Sequence, residues 1–469
     1  MPMEPLQKSE SFLEAGGGNI ALPHVAGWLS QTLSDRSAMN ISGEYRSFGA
    51  SQSAIHNFGN ILATLSTQLG EDPALDAYHS QELNMQAGYA VKDVATNNLS
   101  TTDRALSQIF ASASLVGDIS KDFHYHASIE DHELDDGLSS RTTESSQNVA
   151  LGAQFDLSNI RVIADGNYSL AALFADTNVV TGANFFGGTS TPIHAESVKA
   201  LIGERNRDSI EYYGGVELLA GTGVDGSTYT EIMPVLRARM QLSPLTLIGL
   251  SFEPQEQLAS LRTLTNTNPF YAPELILLSK QNGSIISAPV DGRSVVMDKI
   301  NLAAYMNYFI SPDDELRVEA RYITRDREAV FNSITSKDSA TIFTVTPEST
   351  QRFIFSANGN FIAFARDNVT GTLEFTSVTP SIPYEATTKL FAEYHFNSIW
   401  ENVQPSLAIN VISRPGQTFT FLDINVKAEI TPAVSLAGSI ENLLGSPSDF
   451  WPGYPEKPRS IWATVRYTF

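Results

Sequence analysis

The sequence predicts an all-β chain that closes into one large antiparallel transmembrane β-barrel of 20 to 22 strands. Three observations point there. In the last twelve residues Ile461, Ala463, Val465, Tyr467 and Phe469 alternate with Trp462, Thr464, Arg466 and Thr468, giving a strand with one apolar face that ends on an aromatic carboxyl terminus. Similar alternation recurs back to Met39, and the faces opposite the apolar ones carry charges at mid-strand, which a wide wet lumen tolerates and a dry core does not. Placing Phe469 at the periplasmic end puts the tight turns on that side and the long loops outside.

The clearest strands show this pattern. Leu83, Met85, Ala87, Tyr89 and Val91 oppose Asn84, Gln86 and Gly88. Ile232, Pro234, Leu236, Ala238, Met240 and Leu242 oppose a face with Glu231, Arg237 and Arg239. Leu316, Val318, Ala320 and Tyr322 oppose Arg317, Glu319 and Arg321; Leu422, Ile424, Val426 and Ala428 oppose Asp423, Asn425, Lys427 and Glu429. In 390–396 the rule holds with Phe391 as an exception on the polar side.

Twenty strands are expected near 39–50, 55–67, 80–91, 104–117, 120–134, 146–157, 159–170, 194–205, 208–221, 228–242, 244–257, 298–310, 314–325, 350–357, 360–366, 384–396, 403–413, 418–430, 432–442 and 458–469. Two apolar runs within 258–297 leave room for another pair. Tight turns are read at Asp156-Leu-Ser-Asn159, 204–207, 242–244, 311–314, Asn358-Gly-Asn360 and 431–433. Long external loops are read at 135–145, 171–193, 258–297, 326–349, 367–383 and 443–457.

Residues 1–38 read differently, as a periplasmic segment preceding a barrel of 39–469. Gly16, Gly17 and Gly18 break it, and Ile20, Leu22, Val25, Trp28 and Leu33 offer apolar contacts. The expectation is that it folds up into the periplasmic mouth as a partial obstruction, or docks a separate periplasmic protein.

Composition narrows the function classes. The 469 residues contain no Cys, so thiol chemistry, Cys metal sites and disulfides are excluded. A formal charge of −22 argues against nucleic acid as a partner. No run of eighteen apolar residues occurs, hence no transmembrane helix is expected, and no signal peptide is visible. No G-x-S-x-G elbow, H-E-x-x-H or phosphate loop is present, so no enzyme activity and no cofactor are expected.

Ile440-Glu-Asn-Leu-Leu444, the Pro/Gly/Tyr-rich run Phe450 to Arg459 and the terminal strand resemble the carboxyl end of a TonB-dependent outer-membrane receptor. Ile41-Ser-Gly-Glu-Tyr-Arg-Ser-Phe-Gly49 is similar to that family's first barrel strand. The resemblance covers the barrel region and implies a multi-pass barrel in a Gram-negative outer membrane, surrounded by lipid. It also implies a plug of well over a hundred residues, for which the 38 residues before Met39 are too few. The functional expectation is a transport barrel without its plug, passing or helping import an unknown small solute. The alternative is a structural or docking barrel that holds a periplasmic or surface partner protein, with Asn266 to Pro273 as an exposed contact loop.

Two sets of site candidates follow. His124, His126, Glu130 and His132 share one face of a strand and are suitable ligands for Zn, Ni or Cu; the plain alternative is a polar lumen wall. Arg237, Arg239, Arg317 and Arg321 are expected to face the lumen, either contacting an anionic solute or pairing with Glu231, Glu319 and neighbouring carboxylates. Trp400, Trp451 and Trp462 suit interface anchors.

Overall fold

A computed structural model describes residues 11–19, 21–48, 55–69, 81–95, 103–137, 142–175, 192–205, 210–224, 226–271, 280–281, 284–285, 293–311, 314–335, 341–363, 366–397, 400, 402–445, 451 and 459–469. One antiparallel sheet of 23 segments closes on itself. Two consecutive segments belong to a single crossing, so the barrel has 22 strands.

In chain order the strands are β1 (Phe12–Gly18), β2 (Ala21–Ser34), β3 (Ser37–Phe48), β4 (Ile55–Leu69), β5 (Gln81–Ala95), β6 (Asp103–Ser120), β7 (Phe123–Asp136), β8 (Thr142–Leu157) and β9 (Ile160–Ala175). They continue with β10 (Ile193–Arg205), β11 (Ile210–Thr222), β12 (Thr228–Ser243), the split crossing β13 (Thr246–Phe252) and β14 (Gln255–Ala259), and then helix α1 (Leu261–Thr267). A two-residue ribbon, β15 (Lys280–Gln281) with β16 (Ser284–Ile285), forms a separate sheet. The wall resumes with β17 (Ser294–Phe309), β18 (Glu315–Thr335), β19 (Thr341–Ile362), β20 (Asn368–Thr379), β21 (Thr388–His395), β22 (Val403–Arg414), β23 (Gln417–Thr431), β24 (Val434–Glu441) and β25 (Ser460–Thr468).

The pair beyond twenty comes from the amino terminus, not from 258–297. β1 pairs with β25 from Phe12↔Thr468 to Gly18↔Trp462 and closes the barrel, while β2 pairs with β1 and β3. The expectation that 1–38 is a separate lumen-obstructing segment is therefore corrected: Phe12 to Ser34 is wall. Val25, Leu29 and Leu33 face outward, whereas His24 and Trp28 lie on the lumen face. The glycines that look like a hinge let two strands lie close, since a Cβ on Gly16 or Gly18 would meet β25 backbone. Ile41 to Phe48 accordingly lies in the third strand, not the first.

A second correction concerns 326–383. Asn358-Gly-Asn360 is not a turn: it lies inside β19, and the strand ends only at Ile362, beyond which the Ala363 N–H donates to the Asp367 carbonyl at 2.7 Å. The supposed loops 326–349 and 367–383 are largely strand, as the outer ends of β18 and β19 and as β20. Asn and Gly read as turn formers locally, but the ladder from β18 to β20 runs unbroken through them.

The outer surface is an apolar belt. Ile61, Ile109, Leu151, Ile202, Ile232, Leu250, Phe353 and Val465 all point outward, Ile232 with 71% of its surface exposed. A soluble barrel would not leave such a belt in water, whereas lipid covers it. Short turns such as 35–36, 121–122, 158–159, 244–245 and 432–433 share the end that carries Phe469, the periplasmic end of this architecture. None of the described helices is long and apolar enough to cross a membrane; the crossing is by strands.

Buried side chains concentrate inside the outer mouth. One cluster joins Leu134, Leu173, Ala259, Leu261, Leu264, Tyr271, Val296, Phe331 and Val345, and a second joins Val94, Leu106, Phe270 and Phe343. These come from opposite parts of the wall, so something spans the lumen between them.

Candidate functional site

That something is an arm made from the wall itself. β13 follows β12 only as far as Leu236↔Phe252, after which β14 keeps β17 as its ladder partner. Continuing the register would set Pro254 opposite Pro234, two residues with no N–H to give, so the ladder ends there. β14 instead lies against β9 and β10 inside the barrel. The outer part of β17 goes with it, and Val295, Val296 and Met297 are all buried although they point to alternate faces. A register irregularity between Asp298 and Ile300 marks the bend. Lys299 Nζ, in that irregularity, lies 3.2 Å from Glu231 of β12 and 2.9 Å from Asp326 of β18, spanning the place that β14 vacates.

Beyond β14 the chain turns into α1. Ser260 caps the helix, its Oγ accepting from the Thr263 N–H at 3.3 Å. Two further N–H groups are satisfied from across the lumen: Leu261 and Arg262 donate to Glu144 of β8 at 2.6 and 3.0 Å. Glu144 is 1% exposed. Burial pushes the Arg262 guanidinium below its ordinary value, while Glu144 and Glu130 pull it back up.

The far end of the arm is held as firmly. Arg104 of β6 forms a two-pronged pair with Asp136 of β7 and donates to the carbonyls of Pro269 at 3.3 Å and Tyr271 at 2.6 Å. Arg104 is 2% and Asp136 0% exposed. Asn268 Oδ1 accepts from the Phe270 N–H at 3.0 Å, shaping the turn. Tyr271 then bridges to Phe343 of β19. Thus Asn268, Phe270 and Tyr271, expected in an exposed contact loop, are buried inside the mouth. Residues 272–273 of that loop lie outside the described residues.

Aromatic rings from four segments close over the arm. Phe331 and Phe343 stand 5.4 and 5.0 Å from Trp451, Tyr384 stands 5.6 Å from it, and Tyr271 lies 6.0 Å from Phe331. Trp451 packs inward here rather than anchoring the interface. Arg414 stacks on Tyr384 at 5.6 Å and on Phe419 at 4.9 Å. Together these contacts place a lid of about thirteen described residues, 259–271, across the outer lumen.

A charged lattice fixes the wall beside the lid. Arg325 pairs with Asp298 at 2.5 Å and Glu328 at 3.0 Å, and Arg352 with Glu328 at 2.5 Å and with Glu385. In the sequence this network is hidden because Glu328, which joins its two arginines, lies in the stretch 326–349 that reads as a loop, and because the pairing of Arg325 with Asp298 and of Arg352 with Glu385 depends on register.

The expected site residues fall as follows. His124, His126, Glu130 and His132 do share the lumen face of β7, yet each has its own neighbour. His124 pairs with Asp118, His126 sits over Gly152, and His132 contacts Gln108 at 3.0 Å and stacks on Phe110 at 5.7 Å. Glu130 is 3.7 Å from His132. Among the described residues no three His, Asp or Glu side chains converge as a metal set.

All four arginines lie on the lumen face and have carboxylate partners. Arg237 meets Glu253 at 2.5 Å, Arg239 meets Glu211, and Arg317 and Arg321 share Glu319 at 3.0 and 2.6 Å. Arg317 also lies 5.2 Å over the Tyr305 ring.

No protein-family model and no curated protein sequence matches the chain. Solved structures do. The FrpB iron transporter of Neisseria meningitidis superposes with a TM-score of 0.70 at 10% identity, covering 99% of this chain and 82% of that one. The siderophore receptor PirA of Pseudomonas aeruginosa gives 0.66 at 10%, covering 100% and 81%. The alcaligin outer-membrane receptor FauA of Bordetella pertussis gives 0.63 at 8%, covering 100% and 77%. At such identities the likeness is one of fold: this chain has the 22-stranded barrel of TonB-dependent outer-membrane receptors.

Proposed function

We propose that the chain is an outer-membrane transport barrel whose outer mouth is closed by its own folded-in arm, and that it passes or helps import a small solute. The observation that carries this is the double fastening of 259–271 across the lumen by Glu144 and Arg104. A permanent seal would be served better by apolar packing alone. Buried charged fastenings add little net stability over apolar contacts, but they fix one arrangement and come apart sharply when one partner is withdrawn. The structures of similar fold include an iron transporter and siderophore receptors, which supports transport over a purely structural role. The arm also buries the loop that a docking function would present outside.

Planar-bilayer recording tests the reading. The intact chain should show a closed or rarely open state, and replacing 260–271 by a short Gly-Ser linker should give a large steady conductance. An intact chain that conducts as freely as the deletion variant would rule out gating by the arm.

A further inference from the structure

The periplasmic half of the lumen carries a feature that the closed outer mouth does not use. Where β18 to β21 run side by side, the wall forms a concavity of about 380 Å³, lined among others by Glu315, Arg317, Asn358, Thr370, Thr372 and Phe391. That volume is at the small end of small-molecule sites, roughly 300–1,000 Å³. Register places these residues together: Arg317 faces Asn358, Asn358 faces Thr372, and Thr372 faces Phe391. Their outward-pointing neighbours Phe353, Phe375 and Leu390 are lipid-facing, so this set points inward.

We infer that this concavity is a subsite for a neutral, polyhydroxylated solute with one apolar face, a saccharide ring being the simplest such molecule. Phe391 is the departure from the alternation, an aromatic ring on a polar face, and it remains 36% exposed in the lumen. An aromatic ring there offers a flat apolar platform. Around it Asn358 brings a carboxamide and Thr370 and Thr372 bring hydroxyls, and no side-chain hydrogen bond within the chain occupies these three among the described residues. Each such group both donates and accepts, which matches a ligand whose hydroxyls do the same. An anion is disfavoured, because Arg317 is already bound to Glu319 and stacked on Tyr305, while Glu315 adds negative charge beside it. Polar groups fixing orientation over an apolar surface are the usual make-up of a small-molecule site.

The subsite deepens the transport reading and rests on it, but it can be tested apart from conductance. Isothermal titration of the detergent-solubilised full chain with maltotriose should give saturable binding. Phe391→Ala should weaken it at least tenfold, Asn358→Ala severalfold, and Phe391→Tyr should stay within about threefold of the unmodified chain. Heat-modifiable migration on gels verifies that each variant keeps its barrel. Absence of maltotriose binding, binding that neither Phe391→Ala nor Asn358→Ala alters, or displacement of maltotriose by citrate would each overturn the saccharide assignment. Binding that behaves as expected in a chain whose arm deletion leaves conductance unchanged would uphold the subsite while overturning the gated-transport reading.

Discussion

Replacing Glu144 by Gln is the smallest change that should loosen the lid. The carboxylate receives two N–H groups at 2.6 and 3.0 Å in a site with 1% exposure. A carboxamide of the same size keeps one acceptor and turns an NH₂ toward the other donor, so one charge-assisted hydrogen bond is lost and an N–H is left facing a donor. Hydrogen bonds to charged groups contribute roughly 1.5–3 kcal/mol each, and a stranded buried donor costs about 1–3 kcal/mol. Removing the charge also relieves its own desolvation, which offsets part of the loss. A net shift of about 2 kcal/mol against the closed arm is therefore expected, or about a thirtyfold rise in the open-to-closed ratio at roughly 1.4 kcal/mol per tenfold. Single-channel dwell times measure that ratio directly. If Glu144→Gln leaves it within threefold of the unmodified chain while the barrel remains folded, the fastening does not hold the lid and the reasoning fails.

Other outcomes follow from the same geometry. Arg104→Met removes the two-pronged cationic partner of Asp136 in a site with no exposure and should destabilise the closed lid by about 3–5 kcal/mol, whereas Arg104→Met with Asp136→Leu should recover much of that; chemical denaturation of the purified barrel and dwell times would show the non-additivity. Trp451→Ala removes the ring that Phe331, Phe343 and Tyr384 share, and should raise flicker between open and closed levels with an expected loss near the low end of the ~3–5 kcal/mol for aromatic truncation, since Trp451 is only partly buried. A chain beginning at Met39 lacks β1 and β2 and should fail to give the compact, heat-modifiable band of the full chain; normal migration would contradict closure through Phe12 to Gly18.

What the sequence makes legible is whatever repeats every second residue. Strands such as Leu83 to Val91 or Leu316 to Tyr322 declare both their existence and their facing, because lipid on one side and water on the other impose opposite demands on adjacent residues. β1 and β2 escape notice because Gly16, Gly17 and Gly18 carry no side chain to alternate, and because Pro23 and His24 sit where an irregularity in the β2–β3 pairing blurs the pattern. β20 escapes because Asn368 to Thr379 opens on Asn368 and the run Thr370-Gly371-Thr372, small polar residues that read as a loop. The lid is hidden for a different reason. A Leu that packs into the mouth at position 261 or 264 looks the same in sequence as a Leu in an outside loop. The contacts that reveal the difference, Glu144 to Leu261 and Arg104 to Tyr271, are separated by 117 and 167 residues. Of the candidate site, the lumen parity of the arginines was readable, but their partners across the ladder needed the register. Phe391 was readable as an exception, yet its neighbours Asn358 and Thr372 became neighbours only once β19 and β20 were in place.

The opposed prolines at 234 and 254 tie the lid to the wall as a single piece of material. Below them the crossing is laced on both sides, to β12 and to β17; above them it remains laced to β17 alone. A door built this way has its hinge post set in the masonry. The ladder ends at Ala259↔Ser294, so whatever frees Glu144 and Arg104 leaves β14 laced to β17, and residues 260–271 move from that fixed edge. That edge is itself tied into the wall: β14 meets β17 from Ala259↔Ser294 down to Gln255↔Asp298, and Asp298 leads through Arg325 and Glu328 to Arg352 and Glu385, so any movement of β14 would bear on that lattice.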